Sequence, residues 1–181
     1  MTTLYFDEID KLKLELAEKL LQDGNLNEQE CIDAVYEILV LAYVYGVDDV
    51  NEMLGVSDTP NADCLRAALE KKYDGKDFID RVKEYARTGD IEAIGVVAET
   101  DAHRLYNIGA FGVALDNGAT TKTWTAILDD RTRYDHVDFD GVTLPIDTPF
   151  VALDGDYGQF PGDFQTAAQN ANCRCVCTFS K

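Results

Sequence analysis

Between residues 122 and 177 the chain collects most of the side chains that could do chemistry. It holds the single tryptophan (Trp124), Asp129, Asp130, Arg131 and Arg133, one of two histidines (His136) and three of five cysteines (Cys173, Cys175 and Cys177). An acid, two guanidiniums and an imidazole could hold a phosphate and move a proton, as a nuclease or a nucleotidyl- or ADP-ribosyl-type transferase requires. The same residues have a structural use. Arginine's planar fork matches carboxylates and carbonyls, so Asp130 with Arg131 and Arg133 could lock a loop. No second general acid or base can be picked out, which favours the structural reading.

His136 with Cys173 and Cys175 is a candidate metal set. Zinc takes four soft or borderline ligands, and Asp138 or Asp163 could supply the fourth. On a strand, Cys173, Cys175 and Cys177 would share one face. The spacing is not the paired Cys-x-x-Cys of a zinc ribbon, so small thiols buried under a sheet remain the alternative. The pattern disfavours a calcium loop. The run from His136 to Asp147 has acids at several positions of a calcium loop, but His136 replaces the first ligand and Pro145 sits inside it. Upstream, Glu99, His103 and Tyr106 or Asn107 share a helix face. That spacing makes a surface pair of Glu99 and His103, unless His103 or Arg104 reaches the polar loop downstream.

The elements that position these residues are legible as patterns. Leu4, Tyr5, Ile9, Leu12, Leu16 and Leu20 mark a first helix, closed by Gly24 and Asn25. Asn27, with Glu30 three residues on, opens a second helix as a capping box. Its apolar face includes Val35, Leu39 and Tyr43, Gly46 suits its left-handed terminus, and the two helices pair as a hairpin. Asp48 then caps a short third helix to Leu54, and Pro60 enters a fourth that runs to Tyr73. Asp74-Gly75 is a turn, and helices follow from Phe78 to Gly89 and from Asp90 onward, the latter broken near Gly109 or Gly112. After Gly118 the pattern changes to strands at 122–128, 142–146, 150–153 and 173–179, with Asp140-Gly141 a turn and Asp163 capping a short helix over 164–169. The fold class is α+β: an N-terminal helical region (1–75), then a small irregular antiparallel sheet module (76–181).

Charge narrows the partners. The 34 acids against 16 bases give a net charge of −18, and residues 1–50 carry 12 acids and 3 bases, half of the excess. Such a surface repels phosphate backbones, so no direct nucleic-acid surface is expected and a basic protein partner is. The N-terminus has acids where an export signal has bases, and the most apolar window is too short to span a bilayer. An odd number of cysteines fits a reducing compartment, so the expected site of synthesis is a cytoplasm, with no membrane association.

The polar motifs, taken in order, resemble the head morphogenesis family of tailed phages, the Mu F-like minor head proteins. They are Glu99-Thr100-Asp101-Ala102-His103-Arg104 with Asn107, then Lys122 and Trp124, then Asp129-Asp130-Arg131-Thr132-Arg133 with His136. Asp140-Gly141, Pro149-Phe150, Pro161-Gly162-Asp163 and Asn172-Cys173-Arg174-Cys175 follow. The family's Thr-Glu order reads Glu99-Thr100-Asp101 here, which leaves open the acid that fills that role. The resemblance implies a structural component of the virion, acting in capsid assembly or DNA packaging near the portal. Portal, scaffold or other capsid proteins would be its partners, in the host cytoplasm during assembly and in the head afterwards. It also implies that the motif residues hold the module together, with no cofactor expected beyond a possible zinc. The chain closes soon after the cysteine motif, so the resemblance implies the bare module on a short helical stalk, without an enzymatic extension. A small zinc-stabilised interaction module is the third reading.

Overall fold

The computed structural model describes residues 4–73 and 75–181, with side chains from Asp7 onward. The side chains of Leu4 and Tyr5, and Asp74 of the expected turn, lie outside the described residues. The fold is α+β: five helices, then a short three-stranded antiparallel sheet with irregular connections.

Helix α1 (Leu4–Asp23) buries Ile9, Leu12 and Leu16 and ends at Gly24, whose φ of 71° favours a residue without a Cβ. Helix α2 (Glu28–Leu54) starts where the Asn27 side chain accepts from the amides of Gln29 and Glu30, at 2.9 and 3.2 Å. Glu30 turns outward to the Lys19 ammonium, 2.5 Å away. α3 (Ala62–Leu69) is capped by Asn61, so Pro60 precedes the helix instead of entering it, and the helix stops short of Tyr73. α4 (Phe78–Thr88) and α5 (Ile91–Asp116) are capped by Asp77 and Asp90 and separated by Gly89 at φ 68°.

The expected stop at Gly46 and break near Gly109 are both absent: α2 and α5 run straight through. Each glycine sits at the crossing of these two helices. A Cβ on Gly46 would collide with the Tyr106 carbonyl, and one on Gly109 would lie 2.5 Å from the Tyr43 carbonyl oxygen. The glycines are contact points, each letting the other helix's backbone approach. Sequence periodicity reads a glycine as punctuation because it cannot see the partner helix.

In the C-terminal part, β1 (Thr121–Thr125) lies between β2 (Thr143–Pro145) and β5 (Val176–Ser180), antiparallel to both. Lys122 stands opposite Phe179, and Trp124 opposite Cys177. A separate ladder pairs β3 (Phe150–Val151) with β4 (Tyr157–Gly158). Two short helices, α6 (Tyr134–Phe139) and α7 (Ala167–Asn170), fill the connections. The strands are shorter than their patterns imply: β1 ends before Ile127 and Leu128, which are exposed, and β5 starts after Cys173 and Cys175. Asp163 does not cap α7, which follows Thr166. The hydrophobic core is continuous from Ile9 on α1 to Phe179 on β5.

Gly46→Ala and Gly109→Ala are each expected to lower stability by about 2 kcal/mol or more, because backbone must move to admit the methyl. Gly112→Ala, on the same helix with no heavy atom near its would-be Cβ, should raise stability by about 0.5–1 kcal/mol. Urea unfolding of the three variants measures both signs.

Candidate functional site

The motif residues converge on the segment 170–175, which enters β5 without being part of it. Asn170, Cys173 and Cys175 are buried here and only Asn172 is exposed, so the segment's polar groups need partners that a sheet ladder does not supply. His103 and Asn107, one turn apart on α5, both reach the Cys175 carbonyl oxygen: His103 through Nε2, Asn107 through Nδ2 at 3.3 Å. Asn107 also bonds the His103 carbonyl at 3.0 Å, which orients its amide. Arg133 donates through Nη2 to the Ala171 carbonyl. Arg174 grips Asp129 with both terminal nitrogens, at 2.8 and 2.6 Å.

Asp129 is the organising acid of the loop. Its carboxylate also accepts from the Arg131 amide at 3.0 Å, and the single proton of the Thr132 hydroxyl is shared between that carboxylate, 3.2 Å away, and the Ile127 carbonyl. The Arg174 guanidinium, with those donors, holds the Asp129 carboxyl well below the usual carboxylate range. Asp130 is exposed, so the pairing anticipated for it belongs to its neighbour. Arg131 is also largely exposed and lies 3.8 Å from Asp129. Arg174, placed between the two cysteines of the Asn-Cys-Arg-Cys run, was the partner that residue types alone did not single out.

His103 does not pair with Glu99 on the surface: it is buried, and burial lowers its pKa to about 4, with Arg174 and His136 adding repulsion. The buried acid of that helix is Asp101. It bridges Arg81 at 2.5 Å and Arg104 at 3.2 and 3.3 Å, while Arg104 donates to the Ala68 carbonyl at 2.9 Å. This answers which acid of Glu99-Thr100-Asp101 faces inward. A 290 Å³ cleft opens beside this triad between α4, α5 and residues 162–171. Gly162, at φ 91°, packs against Arg104 with 3.1 Å between its would-be Cβ and the Arg104 Cα.

Asp140 and Asp163 also serve the backbone. Asp140 accepts from the Ala126 amide at 2.9 Å, and Gly141 (φ 75°) turns the chain back to bond the Trp124 carbonyl. Asp163 accepts from the Gln159 amide at 2.9 Å and lies 3.4 Å from Lys71. Asp156, which sequence reasoning passed over, accepts from the amides of Tyr157, Gln165 and Thr166 and the Thr166 hydroxyl, at 2.6–3.0 Å. Burial pushes its pKa up, but those donors outweigh burial and the net shift is downward.

His136 lies on α6 in an aromatic cage, its ring 5.2 Å from Trp124, 6.1 Å from Phe164 and 6.2 Å from Phe139. Its Nδ1 faces Cys175 Sγ at 3.5 Å and Cys173 Sγ at 3.6 Å. Cys175 is drawn down to about 5 by the Cys173 thiol and, against its burial, by His136 and the Trp124 indole; Cys173 is pushed up in turn. Cys177 stands apart on β5, pushed up to about 12 by burial against the attraction of Lys122. Asp138 is exposed on α6, and Asp163 is engaged elsewhere, so neither joins the His–Cys cluster. The crevice that Arg131, Arg133 and His136 share is about 10 Å³, room for a single water and far too small for a nucleotide.

The sequence profile of the family described as Phage Mu protein F like protein matches residues 62–178. This chain belongs to that family. The minor head protein GP7 of Bacillus phage SPP1 is 33% identical over 84 residues, which cover 45% of this chain and 27% of that relative. No solved structure matches the chain. In this Mu F like protein the matched region includes every motif residue described above.

Asp101→Ala would leave Arg104 and Arg81 without their shared carboxylate, and should cost about 3–5 kcal/mol, whereas Asp130→Ala should stay within about 0.5 kcal/mol of the parent. Chemical denaturation at neutral pH separates the two. Asp156→Asn should cost about 1–3 kcal/mol at pH 7, since the amide cannot accept all four bonds. A carboxyl lowered by folding stabilises above its unfolded pKa and loses that contribution as pH falls through the folded one. The gap between parent and Asp156→Asn should therefore narrow below about pH 4, which unfolding curves at pH 7 and pH 3 would register.

Proposed function

We propose that this chain is a phage minor head protein that works by binding, as a component of capsid assembly or DNA packaging close to the portal. Membership of the Mu F like family and the likeness to a relative named a minor head protein support this reading. The observation that carries it is the use of the motif side chains. Asp129, Arg133, His103, Asn107 and Arg174 are committed to holding the chain together, so the motifs act as scaffold for a surface.

That surface is the acidic helical face. On α1, Asp7, Glu8, Asp10, Glu15, Glu18 and Asp23 are exposed, with the exposed apolar side chains of Leu14 and Leu21 among them. Such a face suits a basic portal, scaffold or capsid protein, because opposite charge speeds encounter and excludes wrong partners. It repels nucleic acid. Among the described residues no helix is long and apolar enough to cross a membrane. On this reading the protein assembles in the host cytoplasm and ends in the virion head.

Reversing Asp10, Glu15 and Glu18 to lysine is expected to abolish co-purification with a portal or capsid protein of the same virion. The melting temperature should stay within a few degrees, since these side chains are solvated. A full yield of DNA-filled particles after deletion of the gene would overturn the reading.

A further inference from the structure

The cluster of His136, Cys173 and Cys175 is not accounted for by packing or by the head-protein reading. All three residues are buried, and their ligand atoms lie within 4.8 Å of one another. A neutral imidazole Nδ1 that is not protonated has one lone pair and can accept from a single thiol. Here two sulfurs stand equally close, at 3.5 and 3.6 Å. Zinc–sulfur bonds of about 2.3 Å and zinc–nitrogen bonds of about 2.0–2.1 Å, set at a tetrahedral angle, separate the sulfur and nitrogen ligands by about 3.6 Å. Both observed separations match that edge.

The surroundings fix these positions. The Cys175 carbonyl is held by His103 and Asn107, and the Ala171 carbonyl by Arg133, so the segment carrying the sulfurs cannot drift. The imidazole is confined by the rings of Trp124, Phe139 and Phe164. One side stays open: the crevice of about 10 Å³ bordered by Arg131, Arg133 and Arg174 reaches all three candidate ligands and has room for one water.

We propose that His136 Nδ1, Cys173 Sγ and Cys175 Sγ bind one thiophilic divalent metal ion, with zinc the ion their chemistry suits and a water in the crevice completing the tetrahedron. Two thiolates with one imidazole select zinc over hard cations such as magnesium or calcium. Binding replaces the thiol protons, which pass to solvent, and involves no change of oxidation state. The ion joins α6 to the segment that leads into β5. This inference does not depend on the head-protein reading.

The test uses the full chain, expressed with added zinc and purified under reducing conditions, with Cys64→Ser to remove the exposed thiol. Native mass spectrometry should find about one zinc per chain. The same content should persist in Cys177→Ser and fall to about a tenth or less in Cys173→Ser and His136→Ala. Cobalt titration of the metal-stripped protein keeps the question open to measurement if those variants fail to fold. It should give thiolate-to-cobalt charge-transfer bands and the visible bands of a tetrahedral site, both erased by one equivalent of zinc. A protein that stays metal-free in zinc chloride, an octahedral cobalt spectrum, or equal zinc loss in Cys177→Ser would overturn the proposal. So would a Cys173–Cys175 disulfide persisting in the reduced protein, seen as a mass lower by two hydrogens.

Discussion

The fold's C-terminal part depends on one constraint: backbone that is buried but not in a ladder must have its polar groups met by side chains. Residues 160–175 take few turns of helix and no long strand, yet they lie against α5. Leaving a buried amide or carbonyl unpaired costs about 1–3 kcal/mol each. The chain meets the demand with specific residues. Asn170 brackets Phe164, accepting from its amide at 3.1 Å and donating to its carbonyl at 2.6 Å. Arg133 takes Ala171, and His103 with Asn107 takes Cys175. The polar motif of this region is thus the side-chain equivalent of a missing hydrogen-bond ladder. This explains why it looks like a reactive cluster in sequence, while the crevice that Arg131, Arg133 and His136 share has room for no more than a water.

The same demand accounts for the charges inside. Lys122 is fully buried on β1, where a bare ammonium would be untenable. Its Nζ donates to the Ile146 carbonyl at 2.9 Å and to Gln159 Oε1 at 2.5 Å, and it lies 5.2 and 5.4 Å from the ring centres of Phe111 and Phe150. Burial still draws its pKa down to about 8, against the pull of Cys177, Asp163 and Asp147. Arg104 is handled differently, with a carboxylate partner and a carbonyl. In both cases the buried cation fastens one element to another distant in sequence: α5 to α3 through Ala68, and β1 to the loops at 146 and 159. Replacing either by an apolar residue would remove a link and not just a charge.

What was legible in the sequence follows from how local the cause is. The caps at Asn27 and Asp90, the left-handed Gly89 and the α+β order depend on neighbouring residues only, and the pattern shows them. Gly46 and Gly109 misled because their role belongs to a helix crossing about sixty residues apart in sequence. The convergence of His136 with Cys173 and Cys175 was suggested by residue type, while its geometry depends on β5 starting late, after both thiols. A strand through 173–177 would have put three sulfurs on one face. The actual backbone frees Cys173 and Cys175 to meet the imidazole and leaves Cys177 in the ladder. Asp129 and Arg174 were harder. Two adjacent aspartates are indistinguishable by type, and only the turn closed by Thr132 and the Arg131 amide decides between them.

Helix α5 is where these demands meet, and its composition reflects that. It is buried on nearly every side, so it lacks the single apolar stripe of a surface helix. One face, with Tyr106, Gly109 and Ala110, meets α2; another, with Asp101 and Arg104, anchors α3 and α4; a third, with His103 and Asn107, holds the C-terminal segment. A helix with polar residues on two such faces could not be stable alone in an apolar environment. Each polar residue is tolerable only because a distant segment supplies its partner, so the interior of this helix specifies the folded C-terminal part as much as it is specified by it. Specific pairings inside leave the outer helices free of that duty. Their sequence can therefore carry a dense acidic surface without conflict with the core, and α1, which buries little more than Ile9, Leu12 and Leu16 among its described side chains, is where that freedom is greatest.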